Sequence, residues 1–393
     1  MSEPDAPIGI RELAGEWVAT HPSSLPGRAA ALRFGLPRRD DRREIAAAPA
    51  TATRVLVAPA NHAGQGYRWA RALESSGDRI GARSLAVESA FDFPADAVVA
   101  RRVFHNSPSW QRAQRRAARA FTHVLVESLI PPFGRLDGRD LTSQLASLGP
   151  GPDLAFVCHG TDVRRVRPVQ RPLSPAQRQA SRIAQRHRHF LRDRAEPVFV
   201  TTPDLLDDVP SATWLPVVID IEAWTVPHRT GTGLPRVVHV PSSSVMKGTA
   251  SISPTMEMLA SRGVVDYTAA AGISPRDMPE IVGAADIVLD QFVLGSYGVA
   301  ACEAMAAGAV VVGHVTPEVR ERVRSATGQE LPVVEATPES LEEVVVALAE
   351  DEDRRAAIAD AGRAFVTRVH GGALSADILR RSWIDDSTSR STA

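Results

Sequence analysis

The chain has 393 residues, 44% of them hydrophobic, which is enough for two domains with a core each. Its two cysteines, Cys158 and Cys302, lie far apart inside apolar runs, which argues against a disulfide framework or a thiolate metal cage and suits a reducing compartment. The formal net charge is only −1, no window reaches the roughly 20 apolar residues of a membrane span, and the first residues lack the apolar core of a secretory signal; the expected location is cytoplasmic.

The charge is unevenly spread. Residues 1–225 carry 30 arginines against 24 acidic residues, and residues 226–393 carry 15 basic against 22 acidic residues. Such asymmetry suits an anionic partner for the first half, although arginine-laced solvated helices are the plainer reading. Lys247 is the single lysine of the chain. In an arginine-only background that residue stands out as functional.

Residues 1–50 mix Pro, Arg and Ala without a sustained period and read as an extension, with IRELAGEWVATH its best helix. From RVLVAPA (54–60) onward, short apolar runs recur in ARSLAVE, HVLVES, DLAFVCHG and PVFVTT, separated by helical stretches such as WQRAQRRAARAF. Alternation of this kind predicts a parallel, doubly wound α/β sheet over residues 51–225. Residues 226–235, polar and proline-containing, suit a linker. A second series then fills 236–370: PRVVHVP, VVDYTAA, DIVLDQ and AVVVG as strands, with helices between and after them. Residues 371–386 form a last helix, expected to pack back on the first domain, and 387–393 a disordered tail. Two tandem Rossmann-like domains would bind a ligand outside the carboxyl ends of their strands, with a cleft where those ends face each other.

Within QFVLGSYGVAACEAMAAGAVVVGHV (291–315), the helix AACEAMAAG has apolar or tiny residues at almost every offset, so most of it is buried. Its lone carboxylate, Glu303, either caps a neighbouring loop or accepts from the vicinal hydroxyls of a ribose. The turn GSYG stands where the helix begins; backbone N–H groups and the helix dipole make an anion site there, and Gly295 and Gly298 allow close approach. In VVHVPSSSVMKGTAS, Ser243, Ser244, Lys247 and Gly248 put hydroxyls, an ammonium and a helix start at one strand end.

Together these blocks carry a resemblance. Lys-Gly before a helix, followed by D-Q-x4-G-S-Y-G-x4-E-A-M-A-x-G-x-x-V-V, looks like the donor domain of family 4 retaining glycosyltransferases of GT-B fold. The match is best over residues 236–315. NHAGQGYRWARALE resembles the family's glycine-rich loop after the first strand, and FVCHGTDVR its strand-end His-Gly-Ser/Thr-Asp element. The resemblance implies that Lys247 binds the diphosphate of a UDP- or GDP-linked sugar, that the amides of Ser296, Tyr297 and Gly298 hold the phosphates, and that Glu303 takes the ribose. It further implies that His159 touches the transferred sugar and that the loop of Asn61, Gly64, Gln65 and Gly66 approaches the donor phosphate or the acceptor.

Two places depart from the family pattern. Ser242 stands where an arginine usually precedes the lysine, and Gly295 where a second glutamate precedes the ribose-binding one. Asp290 and Gln291 are the nearest polar replacements and are expected to take over contact with the sugar.

The implied activity is metal-independent, retaining transfer from a nucleotide sugar to a glycan, lipid-linked or small-molecule hydroxyl, with no cofactor beyond that cosubstrate. No metal-ligand spacing appears, since Asp207 and Asp208 lie in a surface-like helix and the histidines of HRH (187–189) in a solvated basic stretch. The arginine faces of 110–119 and 178–194 offer peripheral contact with an anionic membrane at the inner face. The alternatives are another GT-B enzyme such as a sugar-nucleotide epimerase, a nucleotide-sugar binding protein without catalysis, and a nucleic-acid modifying protein, for which no recognised motif is present.

Overall fold

The computed structural model describes residues 17–18, 24–77, 79–166, 173–225, 233–241, 244–270 and 272–385. It divides into two compact units: one holds the chain up to Phe199, Asp208–Thr213 and the residues from Ser382, the other Val200–Asp207 and Trp214–Arg381. Most of the expected first helix, Ser242, Ser243, positions 226–232 of the expected linker and the tail from 387 lie outside the described residues.

In the first unit the apolar runs become strands β1 (Thr53–Ala58), β2 (Ile80–Val87), β3 (Ala97–Val99), β4 (His123–Glu127), β5 (Asp153–Cys158), β6 (Val198–Val200) and β7 (Thr213–Trp214). Their order in the sheet is β3-β2-β1-β4-β5-β6-β7. β1 runs parallel to both β2 and β4, and β4 to β5. Val55, Leu56, Val57, Val124, Leu125 and Val126 have no exposed surface, as expected of strands covered on both faces. The strand order reverses direction between β1 and β4, so the crevice beyond those two carboxyl ends is where a doubly wound sheet takes a ligand.

The second unit holds β8 (Arg236–His239), β9 (Asp266–Ala269), β10 (Ile287–Leu289), β11 (Val310–Gly313) and β12 (Val334–Glu335), all parallel, in the order β12-β11-β10-β8-β9. Alternation along the strands sorts its core. Val238, Val288 and Val311 pack with the alanine-rich helix Val299–Ala307, whereas Val237, Ile287, Leu289, Val310 and Val312 pack with helices Thr249–Ser261 and Leu341–Glu350. Here the order reverses between β8 and β10, which places the second crevice.

Elements beyond the periodicity include β3, β7, β12 and the helix Pro317–Thr327, whose only buried residues are Val319 and Val323. Two surface expectations are corrected. Asp208 is buried, and its Oδ1 accepts the Arg165 amide at 3.0 Å, because that backbone N–H needs a partner. His187 is not simply solvated, since its Nδ1 lies 2.9 Å from the Asp162 carbonyl. Both cysteines are buried, and burial pushes their thiols well above the ordinary range.

His370 makes the second unit acid-sensitive. Fully buried, it donates from Nδ1 to the Val217 carbonyl at 2.8 Å and accepts at Nε2 from the Tyr297 hydroxyl at 3.3 Å, and burial holds its pKa down to about 4. A folded-state pKa below the unfolded 6.5 means that the unfolded chain takes up the proton first. Stability therefore falls by about 1.4 kcal/mol per pH unit from about 6.5 down to about 4, roughly 3 kcal/mol in all. Urea midpoints measured between pH 7 and 4 should show this slope, and His370→Gln should flatten it by that amount.

Candidate functional site

His239 ends β8 and Asp290 follows the end of β10, so both stand at the second crevice. His239 is buried, with Nδ1 2.8 Å from the Leu289 carbonyl and Nε2 2.9 Å from Thr249 Oγ1. It ties the start of helix Thr249–Ser261 to the strand ends, and burial lowers its pKa. Lys247 closes the turn Ser244–Lys247, with its ammonium against Asp290 Oδ1. The two side chains are only 17% and 5% exposed, so the lysine charge is largely desolvated and matched by this one carboxylate. Gly248 must be glycine here, because φ is +76° and a Cβ would meet Phe292 and Val293 at 3.2–3.3 Å. The Phe292 amide then donates to the Lys247 carbonyl at 3.1 Å, joining the two loops.

Gln291, expected at the sugar, holds the turn instead. Its Nε2 donates to the carbonyls of Ser296 and His314, and its Oε1 accepts from the amides of Val293 and Leu294. All four hydrogen-bonding positions of the carboxamide are used, so none is left for a ligand. Tyr297 turns its ring into the core, leaving its amide as the group at the turn. Ser296 is 4% exposed, and its hydroxyl has no hydrogen-bond partner among the described residues.

Helix Val299–Ala307 begins at Gly298 with no side chain capping it, so its first amides are open to an anion. Nothing lies within 4 Å of where a Cβ of Gly298 would stand. Along this helix only Val299, Ala300 and Glu303 are not fully buried. Spaced three and four apart, they share one face, and Glu303 lies about 6 Å along the axis from the first turn. A single partly open face therefore presents amides and then a carboxylate.

In the first unit the carboxylate of Glu127, at the end of β4, has no exposed surface. Its Oε2 accepts from the amides of Ala60 (3.0 Å) and Asn61 (2.8 Å), bridging the loop after β1 to β4 across the crevice. Oε1 lies 3.5 Å from His159 Nε2, and the His159 ring packs against Trp69 (5.6 Å) and His62 (4.9 Å between centroids). Asp162 holds the turn that carries His159, accepting from the amides of His159 and Gly160. The role expected of Gly66 is corrected. A Cβ there would meet the Glu127 carboxylate at 3.1 Å and Asn61 Oδ1 at 3.3 Å, so the missing side chain makes room for protein groups rather than a ligand. Gly64, with φ +73°, starts helix Gln65–Ser75; Asn61 and Gln65 are buried, Asn61 accepting from the Tyr67 amide.

No protein-family profile and no curated protein matches the sequence. Solved structures do match. Sucrose-phosphate synthase from Thermosynechococcus elongatus aligns with 86% of this chain and 99% of its own at 10% identity and a TM-score of 0.56. WaaG, a glycosyltransferase involved in lipopolysaccharide biosynthesis, covers 84% and 99% at 15% identity and 0.52. Anabaena HepE, in complex with UDP and glucose, covers 86% and 99% at 13% and 0.52. The chain has the GT-B fold.

On this GT-B chain, Lys247, Gly248, Asp290 and the turn 295–298 gather at the second crevice, with Glu303 on the open helix face. Asn61, Gly64, Gln65, Gly66 and His159 gather at the first. Ser244 is exposed at the start of its turn, and Ser243 is outside the described residues. Sequence reading missed Glu127, although a carboxylate straight after the apolar run VLV was a signal in itself. It missed His62 and His239 as well, which carry no comparable signal. Among the described residues no group of three or more His, Cys, Asp and Glu is placed to hold a metal, and no helix is long and apolar enough to cross a membrane.

Proposed function

We propose that this protein transfers a sugar from a nucleoside-diphosphate sugar to an acceptor hydroxyl with retention, without a metal. The observation that carries the reading is the second crevice: an uncapped helix start, the desolvated ammonium of Lys247, and Glu303 on a partly exposed helix face. Its order matches diphosphate followed by ribose. The HepE structures held with UDP and with UDP-glucose support a uridine donor.

In this reading Lys247 and the amides of 296–298 stabilise the negative charge that builds on the departing diphosphate. The leaving phosphate takes the acceptor's proton, so the chain's work is electrostatic. Asp290, already on Lys247, is the carboxylate that reaches the sugar once the lysine turns to phosphate. In the first unit, His159 is backed by Glu127 at that unit's own crevice.

Thermal-shift titration with UDP-, GDP- and ADP-sugars tests donor binding, because a ligand bound only by the folded state raises Tm with concentration. The absence of any nucleotide-dependent shift sinks the proposal. One observation favours a second reading, binding without transfer: Gly295 leaves no side chain where the family has its other carboxylate. Donor binding with no sugar moved to water or to any acceptor would select it.

Glu303→Ala should weaken UDP binding about 10- to 100-fold, the equivalent of about 1.5–3 kcal/mol for a hydrogen-bonded charged group. Binding of 2′,3′-dideoxyuridine diphosphate should be unchanged by the same substitution. Equal losses for both ligands would mean that Glu303 supports the fold rather than the ribose.

A further inference from the structure

The first unit contains a cavity of about 470 Å³ beside the loop Pro59–Ala63. Three arginines line it, Arg33, Arg101 and Arg139, each partly open to solvent, and none of the three has a carboxylate partner among the described residues. Neighbouring arginines do: Arg102 pairs with Asp41 at 2.7 Å and Arg115 with Asp137 at 3.4 Å. The contrast is local, since Asp41 and Asp137 are taken by arginines outside the cavity lining. One exposed carboxylate, Glu88, also lines it and leaves a surplus of positive charge.

His105 reports that surplus. Its pKa is pushed down to about 3, by burial first and then by Arg139, Arg101, Arg135 and Arg33. Its ring stacks on Phe34 at 3.9 Å between centroids, and Arg33 lies 4.7 Å from the same Phe34 ring. Phe91, Phe93 and Phe104 complete an aromatic wall. Arg139 is held at φ +61°, a conformation that non-glycine residues rarely adopt and that usually needs a local reason. His62 lines the cavity too, and its ring is 4.9 Å from that of His159, so the cavity opens toward the histidine pair already described.

We infer that the cavity bounded by Arg33, Arg101 and Arg139 binds the phosphate of a phosphomonoester acceptor, whose body lies along Phe34 and Phe93 toward His62. Three arginines on one cavity suit a dianion with three acceptor oxygens, where a carboxylate would be satisfied by one bidentate arginine. The volume takes a molecule the size of a sugar phosphate. The word acceptor rests on the transferase reading above; the phosphate site does not. The same chemistry arrives from a free sugar phosphate or from a lipid headgroup.

Titration calorimetry of the full chain at fixed ionic strength tests it, with glucose 6-phosphate, inorganic phosphate and glucose as probes and UDP as an independent one. Saturable binding of glucose 6-phosphate, at least tenfold tighter than glucose, is the expected result. Arg33→Gln with Arg101→Gln should weaken it tenfold or more, while Arg354→Gln, on the second unit, should leave it unchanged and all variants should keep their UDP binding. In a parallel arm, sedimentation with phosphatidylcholine vesicles with and without phosphatidic acid reads the lipid source. Vesicle binding that needs both phosphatidic acid and the two arginines names a lipid headgroup, and glucose 6-phosphate binding without it names a soluble acceptor. UDP binding with no arginine-dependent phosphomonoester binding in either arm overturns the inference alone; phosphomonoester binding without UDP overturns the transferase reading alone.

Discussion

Replacing Lys247 by methionine is expected to lower sugar transfer by roughly 10²- to 10³-fold, the usual cost of removing one group that stabilises charge in the transition state. The single variant has a second effect, because Asp290 is 5% exposed and leans on the lysine. Losing one member of a buried pair leaves an uncompensated charge and typically costs about 3–5 kcal/mol of stability. The double variant Lys247→Met with Asp290→Asn removes both charges and should recover most of that stability. Transfer should not recover with it. To separate phosphate binding from any contact of Asp290 with the sugar, UDP and uridine are compared on the double variant by calorimetry. UDP affinity should fall toward that of uridine, and uridine affinity should hold. If UDP binding returned with stability, Lys247 would be a structural partner of Asp290 and the diphosphate site would have to lie elsewhere.

The strands were legible because their apolar runs are short, β-branched and bounded by glycine and proline, as in RVLVAPA and AVVVG. Strand order was not, because pairing is a tertiary property. For that reason Glu127 stayed hidden: its place at the first crevice depends on β4 lying beside β1, seventy residues earlier in the chain. β3 and β12 are three and two residues long, below the length at which a period can be seen. The alanine helix shows what composition does reveal. A carboxylate with no polar neighbours on its helix is conspicuous, and the structure puts Glu303 on the single face left partly open. Gln291 shows the reverse. Its polarity suggested a ligand contact, while the loop it closes consumes all four of its hydrogen bonds. A polar residue near a site is therefore weak information until its own partners are known.

Gly295→Glu, which places a carboxylate where the family that the sequence resembles carries one, is expected to destabilise the second unit by about 2–5 kcal/mol and to raise no activity above that of the parent. Two separable terms set that cost. Gly295 has φ +67°, where a side chain costs roughly 1–2 kcal/mol, and its Cβ would stand 2.5 Å from Thr316 Cγ2. The backbone there is held from both sides, since the Gly295 carbonyl accepts the Thr316 amide at 3.1 Å and the Gln291 clamp fixes the rest of the turn. Thr316→Ser removes Cγ2 but keeps the hydroxyl that caps helix Pro317–Thr327 by accepting from the Val319 amide. In that background Gly295→Ala should lose only the conformational term, about 1–2 kcal/mol, whereas in the parent it should lose more. Urea unfolding of the four chains forms the cycle. A cost of Gly295→Ala that is the same with and without Thr316→Ser would show that contact with Cγ2 does not matter. Near-zero cost in both would show that the turn relaxes out of the left-handed region, and a glutamate would then be sterically possible at 295. If the cycle holds, this turn excludes a second carboxylate for backbone reasons, and the acidic side chain already in contact with Lys247 is Asp290, just past the end of β10.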